Sequence, residues 1–294
     1  MTHSKPQKGF CFLVLWLGLI LPWSGTAAAE ENIVAAKLPK GLTATAEYRP
    51  GKARSPAALI LHGFLQTRNS ITLATLANSA SDAGYAVLMP TLSLGVGERK
   101  QSLQCDAIHT HTLDDDIAEI AFWVEWLTQR GHTDIVLIGH SFGSLHLLAY
   151  LQKHPNHRVR RFIATSLLDL SKDTPPDLMQ GFVRQAKERA AKGDTSLGEY
   201  SLTHCSKYLA PAQAYLTYAA WSRERILAAL RNAVVPVTVI LGSEDKRLDA
   251  EWPPSLRAAK ADVIMIKGAN HFFAADQEFD LLDTVHHLLE NALP

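Results

Sequence analysis

Residues Ile135 to Gly143, which read Ile-Val-Leu-Ile-Gly-His-Ser-Phe-Gly, limit what this chain can fold into more than any other stretch. The apolar run Ile135 to Ile138 reads as a strand buried on both faces. It enters Gly139-His140-Ser141-Phe142-Gly143, a G-x-S-x-G sequence, and Leu145, Leu147, Leu148, Tyr150 and Leu151 then read as an apolar helix. A serine at so sharp a strand-to-helix turn carries a strained backbone. Glycines two residues before and after it leave room for the chain to double back. The turn holds the Ser141 hydroxyl above the sheet edge at the positive end of the next helix, which makes it a candidate nucleophile. The plainer reading is a glycine-rich connection with no chemistry.

The rest of the chain alternates short apolar runs with helical patterns. Leu42 to Tyr48 reads as an edge strand, and Ala58 to Leu61 as a buried strand ending at His62-Gly63-Phe64. A helix over Ile71 to Ala83 stops at Gly84, and a strand over Ala86 to Met89 is closed by Pro90. Leu92 to His111 reads as a long loop. Thr112 and Asp115 match a capping box at the start of a helix running to Arg130. Further strands are expected at Val159 to Leu168, Val234 to Leu241 and Val263 to Ile266, with a closing helix over Phe279 to Leu289. Residues 169 to about 230 interrupt the alternation with a helix-rich insertion. Such alternation implies an α/β fold, a mainly parallel central sheet with helices on both faces.

In sheets of that kind ligands bind beyond the carboxyl ends of the strands. His62, Ser141, Asp245 and His271 all follow strand ends, so they should converge. A serine hydroxyl needs a base to take its proton, and an imidazole needs an anion to hold its tautomer. His271, in a Gly-Ala-Asn-His-Phe turn, suits the base. Asp245, in Leu-Gly-Ser-Glu-Asp, suits the anion, with Asp169 and Glu244 as the rival positions. The backbone N–H groups of Phe142 and Phe64 are the candidate donors to an oxyanion. His62 is expected to brace its loop rather than to react.

The order Ser141, Asp245, His271 on these strand ends resembles the α/β-hydrolase fold, over nearly the whole stretch from Leu42 to the C-terminus. The resemblance implies a Ser141–Asp245–His271 triad, an oxyanion hole at Phe64 and Phe142, and a small helical cap formed by the insertion. His-Gly-Phe resembles the class of oxyanion loop with a single glycine. The activity implied is hydrolysis of a small-molecule carboxylic ester or thioester, through an acyl-enzyme and without a cofactor. Hydrolysis of amides or peptides by the same triad, or a non-catalytic binding protein that kept the pocket, are the alternatives. The insertion's aromatics Phe182, Tyr200, Tyr208, Tyr215, Tyr218 and Trp221 either line the pocket or fill the core of the cap.

His109-Thr-His111-Thr-Leu113-Asp114-Asp115-Asp116 is dense in metal-ligand types. Leu113, however, stands where an H-x-H-x-D-H ligand run has aspartate, and no final histidine follows. The aspartates read as first-turn helix residues favoured by the dipole, and no metal is expected. With 29 basic and 29 acidic residues the chain has no net charge, so nothing points to nucleic acid.

Lys5 and Lys8 precede the apolar run Phe10 to Leu21, and Pro22 and Ala27-Ala28-Ala29 follow. That is the layout of a secretory signal peptide over residues 1–29, leaving a domain over 30–294. The apolar run is well short of the roughly 20 residues a spanning helix needs, so no stable membrane anchor is expected after cleavage. The mature protein would be periplasmic or secreted. Loss of Cys11 with the leader leaves Cys105 and Cys205. In an oxidising compartment this pair is expected to bridge the insertion to the body; two free thiols are the alternative.

Overall fold

The computed structural model describes residues 1–3, 33–170 and 174–292. Apart from its first three residues, the expected signal peptide lies outside the described residues, Cys11 included. Among the described residues no helix is long and apolar enough to cross a membrane.

Eight strands form the central sheet: β1 (Ile33–Lys37), β2 (Thr43–Arg49), β3 (Ala57–Leu61), β4 (Ala86–Thr91), β5 (Ile135–His140), β6 (Val159–Thr165), β9 (Val237–Gly242) and β10 (Asp262–Ile266). Their order is β1-β2-β4-β3-β5-β6-β9-β10, antiparallel at β1–β2 and β2–β4 and parallel from β4 onward. β3 and β5 are buried along their whole length. Alternate side chains still separate cleanly: Leu59, Leu61 and Leu137 face one layer, Ala58, Ile60 and Ile138 the other.

On the first side the sheet is covered by α2 (Leu113–Gln129), α3 (Phe142–Lys153), α6 (Arg223–Arg231) and α7 (Trp252–Ala258), through Trp123, Leu147, Leu230 and Trp252. On the other side lie α1 (Ile71–Asp82) and α8 (Gln277–Glu290), through Leu73, Leu76, Leu281 and Val285. The capping box at α2 is present: Thr112 accepts from the Asp115 N–H, and the Asp115 carboxylate accepts from the Thr112 N–H.

Four strand expectations need correction, two of them only in their bounds: β6 ends at Thr165 rather than Leu168, and β9 runs from Val237 to Gly242 rather than from Val234 to Leu241. The sheet edge on this side is β1, so the strand expected there, β2, is second from the edge. Ile-Val-Ala-Ala-Lys is too short and too weakly alternating to read as a strand unless it is paired. β4 also does not stop at Pro90 but continues to Thr91. Pairing with β3 covers only Ala86 to Leu88, so the missing N–H of Pro90 falls beyond that ladder, while Pro90 still sits opposite Ala46 of β2.

Between β6 and β9, the insertion carries α4 (Pro176–Ala191) and α5 (Ala212–Ala219), with α6 at its end. Between these helices lies a hairpin absent from the sequence reading, β7 (Leu197–Leu202) and β8 (Cys205–Pro211). Its turn is Thr203-His204, and Thr203 has φ 52°. A β-branched residue is an unexpected occupant of that left-handed region, which explains why the turn was not legible.

A disulfide joins Cys105 in the loop after β4 to Cys205 at the start of β8. The same loop meets the hairpin again where the His109 N–H donates to Leu209 O at 2.8 Å.

Candidate active site

Ser141 caps α3 at φ 55°, ψ −121°, a costly conformation for a residue with a side chain. The surrounding backbone enforces it. A Cβ on Gly139 would stand 2.5 Å from Ser144 N, and one on Gly143 would stand 2.4 Å from the carbonyl oxygens of His62 and Leu61. The Ser141 N–H donates to Thr165 O at 2.8 Å, and the Ser144 hydroxyl donates to Gly139 O at 2.9 Å. The turn is therefore stitched to β6 as well as squeezed between β3 and α3.

The three strand-end residues converge as expected. His271 Nε2 lies 2.9 Å from Ser141 Oγ, and His271 Nδ1 lies 2.7 Å from Asp245 Oδ2. That spacing fits a neutral imidazole whose Nδ1–H donates to the carboxylate while Nε2 accepts from the serine. The His271 backbone is held by Ser166, whose hydroxyl donates to His271 O at 2.7 Å. Asn270 shapes the turn by accepting from the Phe272 N–H at 2.9 Å.

Burial by itself would raise the Asp245 carboxyl. The hydrogen bond from His271 and the N–H of Arg247, 2.9 Å from Oδ1, outweigh it, and the carboxyl ends below its ordinary value. Asp169 is not the partner of His271; its carboxylate pairs with Arg223 at 3.4 Å. Among the described residues no hydrogen bond joins Glu244 to His271. Arg247 was not singled out in the sequence, yet its guanidinium comes within 3.4 Å of His271 Nε2.

Two further histidines are neutral. Burial, with the charge of Arg99 beside it, lowers His62 to about 3. Its Nδ1–H donates to Gly63 O at 2.9 Å and its Nε2 accepts from the Leu92 N–H at 3.0 Å, so it braces the loop. Burial, with His271 nearby, lowers His140 to about 3. Its ring centroid is 5.4 Å from that of His271, so it adds no positive charge beside the imidazole.

Ser141 and His271 open into a cavity of about 480 Å³. Phe64, Phe142, Leu145, Leu168, Leu170 and Phe272 are its apolar lining residues. Gln66, Thr203, His204 and Arg247 contribute polar surface. The insertion's six aromatics do not line this cavity. Tyr200 stacks on Tyr215 at 4.2 Å, Tyr208 stacks on His109 at 4.2 Å, and Trp221 is buried, so these side chains fill the core of the cap. Gln66, Leu168, Leu170, Thr203, His204 and Arg247 were hard to read as pocket residues because they come from loops and turns, where no periodicity marks which way a side chain points.

The aspartate run of α2 does more than complement a dipole. Asp116 is buried, accepts from Tyr218 at 2.5 Å, and pairs with His146 at 2.9 Å and His111 at 3.3 Å. The cluster ties α2, α3 and α5 together behind Phe142, whose ring meets that of His146 edge-on at 4.8 Å.

Solved structures share this architecture. One is the α/β hydrolase GrgF from Penicillium sp. sh18, 19% identical, with TM-score 0.67 over 88% of this chain and 98% of that one. Another is Est1E from Butyrivibrio proteoclasticus, 15% identical, with TM-score 0.64 over 89% and 98%. A third is the thioesterase domain from the curacin biosynthetic pathway, 17% identical, with TM-score 0.60 over 88% and 98%. At such identities the likeness shows the fold. No curated protein sequence matches the chain. The family model described as the alpha/beta hydrolase family matches residues 58–283, from β3 through Ser141 and His271 into α8, and the chain therefore belongs to the α/β-hydrolase family.

Proposed function

We propose that this hydrolase cleaves a carboxylic ester or thioester with Ser141 as nucleophile. The contact of Ser141 Oγ with His271 Nε2 at 2.9 Å, backed by Asp245 at 2.7 Å, carries the proposal. Ser141 Oγ attacks the acyl carbon while His271 Nε2 accepts its proton. Asp245 stabilises the imidazolium and fixes its orientation. The backbone N–H groups of Phe64 and Phe142 receive the oxyanion, each worth roughly 100- to 1,000-fold in rate. Collapse of the tetrahedral intermediate expels the alcohol or thiol, which takes the proton from His271. Water, activated by the same imidazole, then attacks the acyl-Ser141 ester and releases the acid.

The apolar walls at Leu145, Leu168 and Leu170 suit an acyl chain. p-Nitrophenyl esters of graded chain length test the proposal. Turnover by the mature protein, abolished in Ser141→Ala, supports it. Folded protein that turns over none of them, or a Ser141→Ala variant that remains active, overturns it. We also place the mature enzyme in the periplasm or outside the cell, a reading supported by the Cys105–Cys205 bridge and the leader-like N-terminus.

A further inference from the structure

Among the described residues, none hydrogen-bonds to the side chain of Gln66, a polar residue of the Ser141 cavity that the proposed triad does not use. Gln66 lies two residues past Phe64 on the loop leaving β3, and it lines the cavity. Its backbone is fixed at both ends. The Gln66 N–H donates to Gly63 O at 3.2 Å, and Gln66 O accepts from Arg99 Nη2 at 2.6 Å. Arg99 is itself buried and also donates to Leu92 O at 2.8 Å and Gln101 O at 2.9 Å, so the loop is held from behind.

The carboxamide is different. Among the described residues none hydrogen-bonds to it, and Oε1 is buried without a partner. Oε1 is tucked against Gly63: a Cβ there would stand 2.8 Å from Gln66 Oε1 and 3.5 Å from Ser141 Cβ. The carboxamide and the nucleophile thus flank the same glycine. Oε1 and Nε2 are the two diverging arms of a planar carboxamide, so with Oε1 against Gly63 the NH2 arm leads away from that glycine, on a residue that lines the cavity.

A wholly apolar acyl chain filling that space would strip water from Nε2 and return no acceptor. A site holding such a group discriminates against ligands that cannot bond it. We infer that Gln66 Nε2 is a specificity donor, and that the preferred acyl group carries a second, uncharged oxygen acceptor, an ether or a ketone, a few atoms from the scissile carbonyl. The inference rests on the serine-hydrolase reading and narrows its substrate class. Leu145 and Leu168 cover the remainder of such a chain.

The test compares p-nitrophenyl 3-methoxypropanoate with p-nitrophenyl pentanoate, which differ only by an oxygen in place of a methylene. The ratio of their kcat/KM values is measured in wild type, Gln66→Met and Gln66→Glu; intrinsic reactivity cancels when ratios are compared. Met keeps length without a donor, and Glu keeps shape but offers only acceptors. Both variants should lower the ratio by about tenfold, the scale of one hydrogen bond left unmade. A ratio within twofold of wild type in Gln66→Met overturns the role of Gln66, and one retained in Gln66→Glu overturns its assignment as a donor. Binding of the same two esters to Ser141→Ala, with and without Gln66→Met, gives a second readout. If wild type cleaves neither of these nor any other ester of the graded series, the serine-hydrolase reading fails. The inference about Gln66 is then decided by whether Ser141→Ala prefers the methoxy ester and loses that preference with Gln66→Met.

Discussion

At Asp245 the low dielectric of a buried site opposes ionisation, and the donors around the carboxylate favour it. The donors win, which keeps the anion in place to hold the His271 tautomer. Asp245→Asn should therefore lower kcat/KM for a nitrophenyl ester by about 10⁴-fold. Asp169→Asn should lower it far less, because Asp169 faces Arg223 and not the imidazole; the reverse order would move the acid to the end of β6. Ser141→Ala and His271→Ala should each remove nearly all activity, and the double variant should be no worse than either, since the members act as a unit. Glu119 shows the opposite balance from Asp245. Burial raises its carboxyl to about 7, despite the bond it accepts from the Ser93 N–H at 3.0 Å. A carboxyl whose folded pKa is raised stabilises the fold fully below the unfolded value of 4.5 and loses that contribution as pH rises through about 7. Glu119→Gln should thus raise Tm at pH 8 relative to wild type, by the equivalent of up to about 3 kcal/mol, and gain little at pH 4. Melting curves at the two pH values check this, and an equal loss of stability at both would contradict it.

Elements were legible wherever one local rule dominated. The strand and helix flanking Ser141, and the capping box at Thr112, rest on burial, steric room and hydrogen bonding within a few residues, and all stand as read. β1 and the β7–β8 hairpin depend instead on a partner strand or a strained turn, which short-range patterns do not display. The tightness of the elbow sets a prediction at this scale. In Gly143→Ala the new methyl would meet two backbone carbonyl oxygens at 2.4 Å, neither free to swing away. The variant should lose more than about 2 kcal/mol of stability, measured by urea unfolding; wild-type stability would show that the elbow has slack. The bridge between the β4 loop and β8 spans a sequence separation of 100 residues. Its removal in Cys105→Ser/Cys205→Ser should cost up to about 5 kcal/mol. Alkylation of denatured, unreduced protein should add no alkyl group at Cys105 or Cys205, read by peptide mapping; adducts at both would sink the bridge.

Across the whole molecule, a parallel sheet delivers side chains from distant parts of the sequence to one edge. That Ser141, Asp245 and His271 converge could be expected before any coordinates because each follows a strand end, and the topology does the rest. The pocket around them was not legible in the same way. Gln66, Thr203, His204 and Arg247 come from loops and a hairpin turn whose directions are set by long-range ties such as Arg99 and the disulfide. The convergence of the three residues was therefore readable ahead of the pocket's lining. The central claim is that Ser141 is an activated nucleophile in the folded protein. It is tested most directly by treating the folded protein with a fluorophosphonate and measuring intact mass, followed by peptide mapping. The account predicts one adduct per chain, located on Ser141 and absent from Ser141→Ala; folded wild-type protein that stays unmodified, or an adduct that persists in Ser141→Ala, would contradict it.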